Sequence, residues 1–213
     1  MNMANGLNAV RGIVAFDLDG TLLRGLTVSE LIAKGLGRLE QMRKFEGFKQ
    51  EAELIAAREE IASWYADKPV PTLLSYLQEA KWAPGAQEAV ARLQERGIHV
   101  VILSITWQDA VEWFARKLNV TDFLGTQHLP SGEIVHVFGR DKARYLRELI
   151  VTTRIARNRV AAVGDSSGDI EMLLEADLRL FVGKEAPALE GVIHLPDADI
   201  KVVADAILEA WAV

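Results

Sequence analysis

Residues 13–16, Ile13-Val14-Ala15-Phe16, are uninterruptedly apolar and stop at Asp17-Leu18-Asp19-Gly20. A short apolar run closed by turn residues predicts a strand buried on both faces, as in the middle of a parallel sheet. The same signature returns at 98–103, 123–126, 160–163 and 178–182, with an edge strand expected at 192–195. Between these runs the apolar positions recur at helical spacing, over 86–96 (stopped by Gly97), 107–118, 140–150, 169–175 and 201–211. Strand and helix alternating in this way predict an α/β fold with a doubly wound parallel sheet. The stretch 127–138, centred on Pro130-Ser131-Gly132, reads as a small hairpin outside that alternation.

One block breaks the rhythm. From 27 to 80 the chain is rich in Glu, Lys, Arg, Ala and Leu and shows helical periodicity only. Leu31, Ile32, Leu36 and Leu39 fall on one helical face, which Thr27 or Ser29 would cap. A second helix is expected over 51–65, with Leu54, Ile55, Ile61 and Trp64 on its apolar side, and a short third over 72–80, after Pro69 and Pro71. The expected organisation is a core domain of residues 11–22 and 83–213, a small helical cap of residues 23–82 inserted after the first strand, and a loose leader at 1–10. The alternative is that 23–82 forms a plain helical layer of the same domain.

Composition narrows the classes. Of 213 residues, half are hydrophobic and a quarter charged, as in an ordinary globular protein. A net charge of −6 gives no basic surplus for nucleic acid. The absence of cysteine excludes thiolate catalysis, disulfides and thiolate-bound zinc. No apolar run approaches the ~18 residues of a membrane span. The expectation is a cytoplasmic protein, monomeric or homodimeric, binding neither nucleic acid nor membrane.

The polar residues at the strand ends carry the chemistry. In a doubly wound sheet, ligands sit at the carboxyl ends of the strands, and Asp17, Ser104 and Asp165 each fall at such an end. Two acids two residues apart, Asp17 and Asp19, are costly at the mouth of a buried strand unless something positive holds them. Mg²⁺ suits hard oxygen ligands. Phosphoryl transfer requires an oxygen nucleophile, a cation, donors to the phosphoryl oxygens and a proton source. Asp17 is the candidate nucleophile and Asp19 the candidate acid/base. Ser104 and Lys142 are candidate phosphate ligands, and Asp165 and Asp169 add acids for a metal site. Of the helical block, Arg24, Met42, Arg43, Phe45 and Phe48 are candidates to face the site, and Trp107 stands near its opening. His99, His128, His136 and His194 show no ligand spacing.

Asp17-Leu18-Asp19-Gly20-Thr21-Leu22, strand-end Ser104, Lys142, and Gly164-Asp165-Ser166-Ser167-Gly168-Asp169 together resemble, in order, the four motifs of haloacid-dehalogenase-like phosphohydrolases. The resemblance implies a small phosphomonoester as substrate, cleaved through an aspartyl-phosphate. It makes Asp17 nucleophile and metal ligand, and Asp19 acid/base and metal ligand through its backbone carbonyl. Asp165 becomes the third ligand of Mg²⁺, with Asp169 supporting the metal site. Ser104, Ile105, Lys142 and Thr21 become the phosphate-binding residues. The helical insertion and the hairpin are similar to the phosphoserine-phosphatase-like branch, so phosphoserine is among the expected substrates. Two departures stand out. Leu23-Arg24-Gly25-Leu26 lacks the acid with which that branch holds an amino group, and Ile105-Thr106 replace two glycines after the serine. The alternatives left open are a phosphotransferase that passes the phosphoryl group to an alcohol, and a non-catalytic binding protein on the same scaffold.

Overall fold

The computed structural model describes residues 10–45, 47–48 and 50–213; residues 1–9 of the expected leader lie outside them. The first strand, β1 (Gly12–Phe16), is followed by a tight irregular loop, Leu18–Leu22, and a two-residue strand β2 (Leu23–Arg24). Four helices come next: α1 (Val28–Gly35), α2 (Leu39–Phe45), α3 (Glu51–Tyr65) and α4 (Val70–Ser75). The chain returns through β3 (Lys81–Trp82) and α5 (Ala86–Glu95) to β4 (Ile98–Trp107). It continues with α6 (Gln108–Lys117), β5 (Asp122–His128), β6 (Ile134–Val135), α7 (Gly139–Thr153) and β7 (Val160–Gly164). The last elements are α8 (Ile170–Leu174), β8 (Leu178–Phe181), β9 (Val192–His194) and α9 (Ile200–Trp211).

Among the described residues, seven strands form one sheet in the order β6-β5-β4-β1-β7-β8-β9. All neighbours are parallel except the β5–β6 hairpin at one edge. Alternate residues of a strand point to opposite faces, and the buried strands use both. Val14, Phe16, Val100, Ile102, Ala161 and Val163 pack with α5, α6 and α9, whereas Ile13, Ala15, Val101, Leu103, Val160 and Ala162 pack with α7 and α8. This two-sided burial is why the strands read as continuous apolar runs.

The block is helical, and the helix expected over 51–65 is present as α3. The one expected over 72–80 is instead α4 at Val70–Ser75, with Pro71 in its first turn, followed by a 3-10 turn at Tyr76–Glu79. Two further differences stand out. Thr27 caps α1 reciprocally: its side chain accepts from the Glu30 N–H, and its own N–H donates to Glu30 Oε2 at 2.9 Å. The helix then stops, because Gly37 takes φ 71° and the Arg38 N–H closes onto the Ala33 carbonyl at 2.7 Å. Leu39 therefore begins α2 and does not extend the face of Leu31 and Ile32. The second difference is the ribbon of β2 and β3, paired Leu23↔Trp82 and Arg24↔Lys81, through which the chain leaves and re-enters. Apolar residues of the block, Leu31, Ile61, Leu73 and Leu77, join the cluster that also holds Phe16, Val111 and Phe114.

β4 also differs from expectation. It runs past Ser104 to Trp107, with its register against β5 shifted between Leu103 and Trp107. The residues after Ser104 thus stay extended along the cavity described below.

Candidate active site

β1 ends in the middle of the sheet, and pairing carries one residue further: the Asp17 N–H donates to the Val163 carbonyl at 2.9 Å. This fixes Asp17 at the carboxyl edge, only 5% exposed. Leu18 and Leu22, both fully buried, pin the loop that follows. Its turn needs φ 80° at Gly20, a conformation natural to glycine. A Cβ there would also come within 2.1 Å of Asp165 Oδ2, so the loop lies directly over the carboxylate at the end of β7.

Lys142 enters from the first turn of α7. Asp141 fixes that turn by accepting the Phe138 N–H at 3.0 Å. Lys142 Nζ lies 2.6 Å from Asp17 Oδ1 and 2.8 Å from Asp169 Oδ1, and all three side chains are buried. The other oxygen of Asp169 accepts from the N–H groups of Asp165 and Ser166, each at 3.0 Å, and from Ser166 Oγ at 3.1 Å. With both oxygens engaged, Asp169 serves as the brace that holds Lys142 and the loop after β7.

Burial pushes the Asp17 carboxyl well above the usual carboxylate range and the charge of Asp169 adds to this, while Lys142 pulls the other way. Asp165 is pushed up to about 6, again by burial and then by Asp169. Burial by itself would lower the Lys142 ammonium, but Asp169 and Asp17 outweigh it, and the group is held above its ordinary value. Three carboxylates facing one ammonium leave negative charge uncompensated in a dry place. Oxygens of Asp17, Asp165 and Asp169 come within 4.8 Å of one another. Hard oxygen donors in this state fit a divalent cation such as Mg²⁺. The carboxylates of Asp17 and Asp165 would hold it, since those of Asp169 are engaged.

Asp19 also lines the cavity, and its Oδ1 accepts the Val28 N–H at 2.8 Å, at the positive end of α1. Ser104, 1% exposed, lines the same cavity, with its Oγ accepting from the Thr106 N–H at 3.2 Å. Ile105 lines the cavity beside it. Thr21, expected among the phosphate donors, is instead turned behind the wall: its hydroxyl faces Asp165 Oδ1 at 3.4 Å, because the tight loop aims it at that acid.

The cavity encloses about 670 Å³ between this edge and the helical block. Of the residues expected to face it, Met42, Phe45, Phe48 and Trp107 do. Arg24 instead donates to the carbonyls of Gly20 and Thr21, and Arg43 pairs with Glu30 and Glu40. Leu26 packs against the apolar cluster. The sequence reading missed Arg58, an 8%-exposed cation on α3. Its Nη2 donates to the carbonyls of Ile105 at 3.0 Å and Val137 at 2.8 Å, and its guanidinium stacks 4.9 Å from the Phe138 ring centre. Burial pulls its pKa down to about 10. The available signal was its place on one helical face with Leu54, Ile61 and Tyr65.

Three kinds of comparison relate the chain to known proteins. Residues 14–174 match the profile described as haloacid dehalogenase-like hydrolase. The chain is 26% identical over 193 residues to a phosphoserine phosphatase of Albidiferax ferrireducens, covering 82% of this chain and 80% of that protein. It is 24% identical over 201 residues to a phosphoserine phosphatase of Campylobacter jejuni subsp. doylei, covering 89% and 96%. The fold superposes on a substrate-bound phosphoserine phosphatase complex with a TM-score of 0.77, at 20% identity over 92% of this chain and 97% of the other. A haloacid-dehalogenase-family hydrolase from Salmonella enterica serovar Typhi gives a TM-score of 0.78, at 18% identity over 91% and 70%.

Proposed function

The chain belongs to the haloacid dehalogenase-like hydrolases, and from that premise, and from its similarity to phosphoserine phosphatases, we propose that it is a Mg²⁺-dependent phosphatase of small phosphomonoesters of the phosphoserine-phosphatase-like branch. The observation that carries this reading is the buried Asp17–Lys142–Asp169 arrangement. It aims one carboxylate into a cavity, with an ammonium and a serine hydroxyl beside it.

In this reading Lys142 and Ser104 bind the phosphoryl oxygens, with Ile105 alongside, and hold phosphorus in line with the free oxygen of Asp17. Asp17 attacks phosphorus, the bond to the ester oxygen breaks, and an aspartyl-phosphate forms. Asp19 gives its proton to the departing alcohol oxygen. It then takes one from the water that cleaves the acyl phosphate, releasing inorganic phosphate and restoring Asp17. Asp169 moves no proton to substrate; it keeps Lys142 extended. A bound Mg²⁺ supplies neutralising charge beside the phosphoryl oxygens. Helices α1–α4, residues 23–82 with their ribbon, act as the cap that covers the cavity and limits water during the first step.

The test is phosphate release from small phosphomonoesters with Mg²⁺ and with a chelator. Release that requires Mg²⁺ and falls by at least about a thousandfold in Asp17→Asn, with the fold kept by circular dichroism, is the expected result. Folded Asp17→Asn protein with full activity removes the nucleophile assignment.

A further inference from the structure

The cavity has two chemically different ends. The acids that line it among the described residues, Asp17, Asp19 and Asp165, sit at the sheet edge, where the phosphoryl group and cation belong. The far wall, given by the helical block, is largely apolar and aromatic, with Met42, Phe45, Phe48, Leu54 and Ile61 beside the hydroxyl residues Thr27 and Ser29, and Trp107 adds to it from the end of β4. Phe45 and Phe48 meet with ring centres 5.6 Å apart, and Phe45 lies on Trp64 at 5.8 Å, so the wall is braced from behind. Arg58 is the cation of that wall among the described residues, and its Nη2 is committed to the Ile105 and Val137 carbonyls. Its Nη1 lies 3.4 Å from His136 Nδ1. The guanidinium thus fastens α3 to the sheet domain.

Size points the same way. At about 670 Å³, the cavity falls within the roughly 300–1,000 Å³ of sites that enclose drug-sized ligands, far more than a phosphate on a three-carbon amino acid fills. Among the described residues the far wall holds no anion, so an ammonium group placed against them would be desolvated unpaired, which is strongly unfavourable. An alkyl or aryl group there gains from leaving water.

We propose that the preferred substrate is a phosphomonoester of an apolar alcohol, alkyl or aryl-bearing and without an ammonium group, whose leaving group seats against Phe45, Phe48 and Trp107. This rests on the phosphatase reading above and narrows its substrate.

The experiment compares kcat/KM, with Mg²⁺ present, for ethyl, n-butyl, n-hexyl and 2-phenylethyl phosphate against O-phospho-L-serine and O-phosphoethanolamine. All are primary alkyl esters, so chemical reactivity is closely matched. Expected is a rise of about two- to fourfold per added methylene, with 2-phenylethyl phosphate at least about tenfold above phosphoserine. Phe48→Ala is expected to cut the 2-phenylethyl-to-ethyl ratio by about tenfold. A flat alkyl series, or phosphoserine as the best substrate, overturns the proposal while leaving the phosphatase intact. If no ester releases phosphate, the phosphatase reading fails, and calorimetry with 2-phenylethylphosphonate and ethylphosphonate decides the cavity assignment. Tighter binding of the phenylethyl compound upholds it, and equal or absent binding overturns it.

Discussion

Lys142→Met keeps the aliphatic stem and deletes the charge between Asp17 and Asp169. At 2.6 and 2.8 Å, each attraction amounts to about 6 kcal/mol at an effective dielectric of about 20. Against this stand several kcal/mol for desolvating each ion and the mutual repulsion of the two acids. Breaking such a buried arrangement from one side costs about 3–5 kcal/mol, because the partners are left buried and uncompensated. The cost must depend on pH. Asp17 is already raised above its unfolded value of 3.8 by burial and by Asp169, and loss of the ammonium raises it further. The folded variant then binds more protons than its unfolded chain, so its stability falls as pH climbs from about 4 through the raised folded value.

Urea unfolding in the presence of a chelator, at pH 5 and pH 8, reads this directly. Wild type and Lys142→Met should lie closer together at pH 5, with the full 3–5 kcal/mol gap at pH 8. Lys142→Met/Asp169→Asn should recover about 1–2 kcal/mol at pH 8, since one stranded charge is gone. A loss below about 1 kcal/mol at pH 8, or equal losses at the two pH values, would refute the claim that Lys142 balances buried ionised carboxylates.

Gly20→Ala combines a left-handed backbone at φ 80° with a Cβ that strikes Asp165. It should cost at least about 1 kcal/mol in urea unfolding and raise the Mg²⁺ concentration needed for half-maximal activity; an unchanged Mg²⁺ requirement would separate the loop from the acid beneath it. Because Asp165 is pushed up to about 6 by burial and by Asp169, protons would compete with a cation that it held. The rise in Tm on adding Mg²⁺ should therefore be small at pH 5 and increase toward pH 7, measured as the difference between Mg²⁺ and chelator at each pH. A rise independent of pH would count against Asp165 as a ligand.

The sheet and the polar residues at its carboxyl edge were legible for the same physical reason. Strands buried on both faces must be continuously apolar, so Asp17, Ser104 and Asp165 stood out as polar residues where such runs end. What escaped the sequence depends on contacts between distant segments. The ribbon of Leu23–Arg24 with Lys81–Trp82 is too short to show a period. The break before Leu39 turns on the φ of Gly37, and the continuation of β4 on a register shift against β5. Arg58 was hidden because a charged residue beside Glu59 and Glu60 reads as solvated surface, although its helical position is that of Ile61 and Tyr65. The direction of the Thr21 hydroxyl, onto Asp165, required the folded loop.

What the sequence shows and what it hides divides the cavity along its own chemical boundary. At the sheet edge, each proposed role admits few residue types, and a strand end or the first turn of α7 fixes the position, so residue identity nearly suffices. On the far wall, identity says little, because Met42, Phe45 and Phe48 would look the same in the core of any helical block. Their meaning comes from geometry: Phe45 is braced by Trp64, which Arg38 covers at 5.1 Å from the ring centre, and so the aromatic face is kept turned to the cavity. In the proposed function the reaction depends on residues placed one at a time, Asp17 by the end of β1 and Lys142 by the first turn of α7. The proposed substrate preference depends on residues positioned jointly through helix packing. It follows that substitutions at Phe45 or Phe48 should redistribute activity among esters, whereas substitutions at Asp17 or Lys142 should lower it for all of them together.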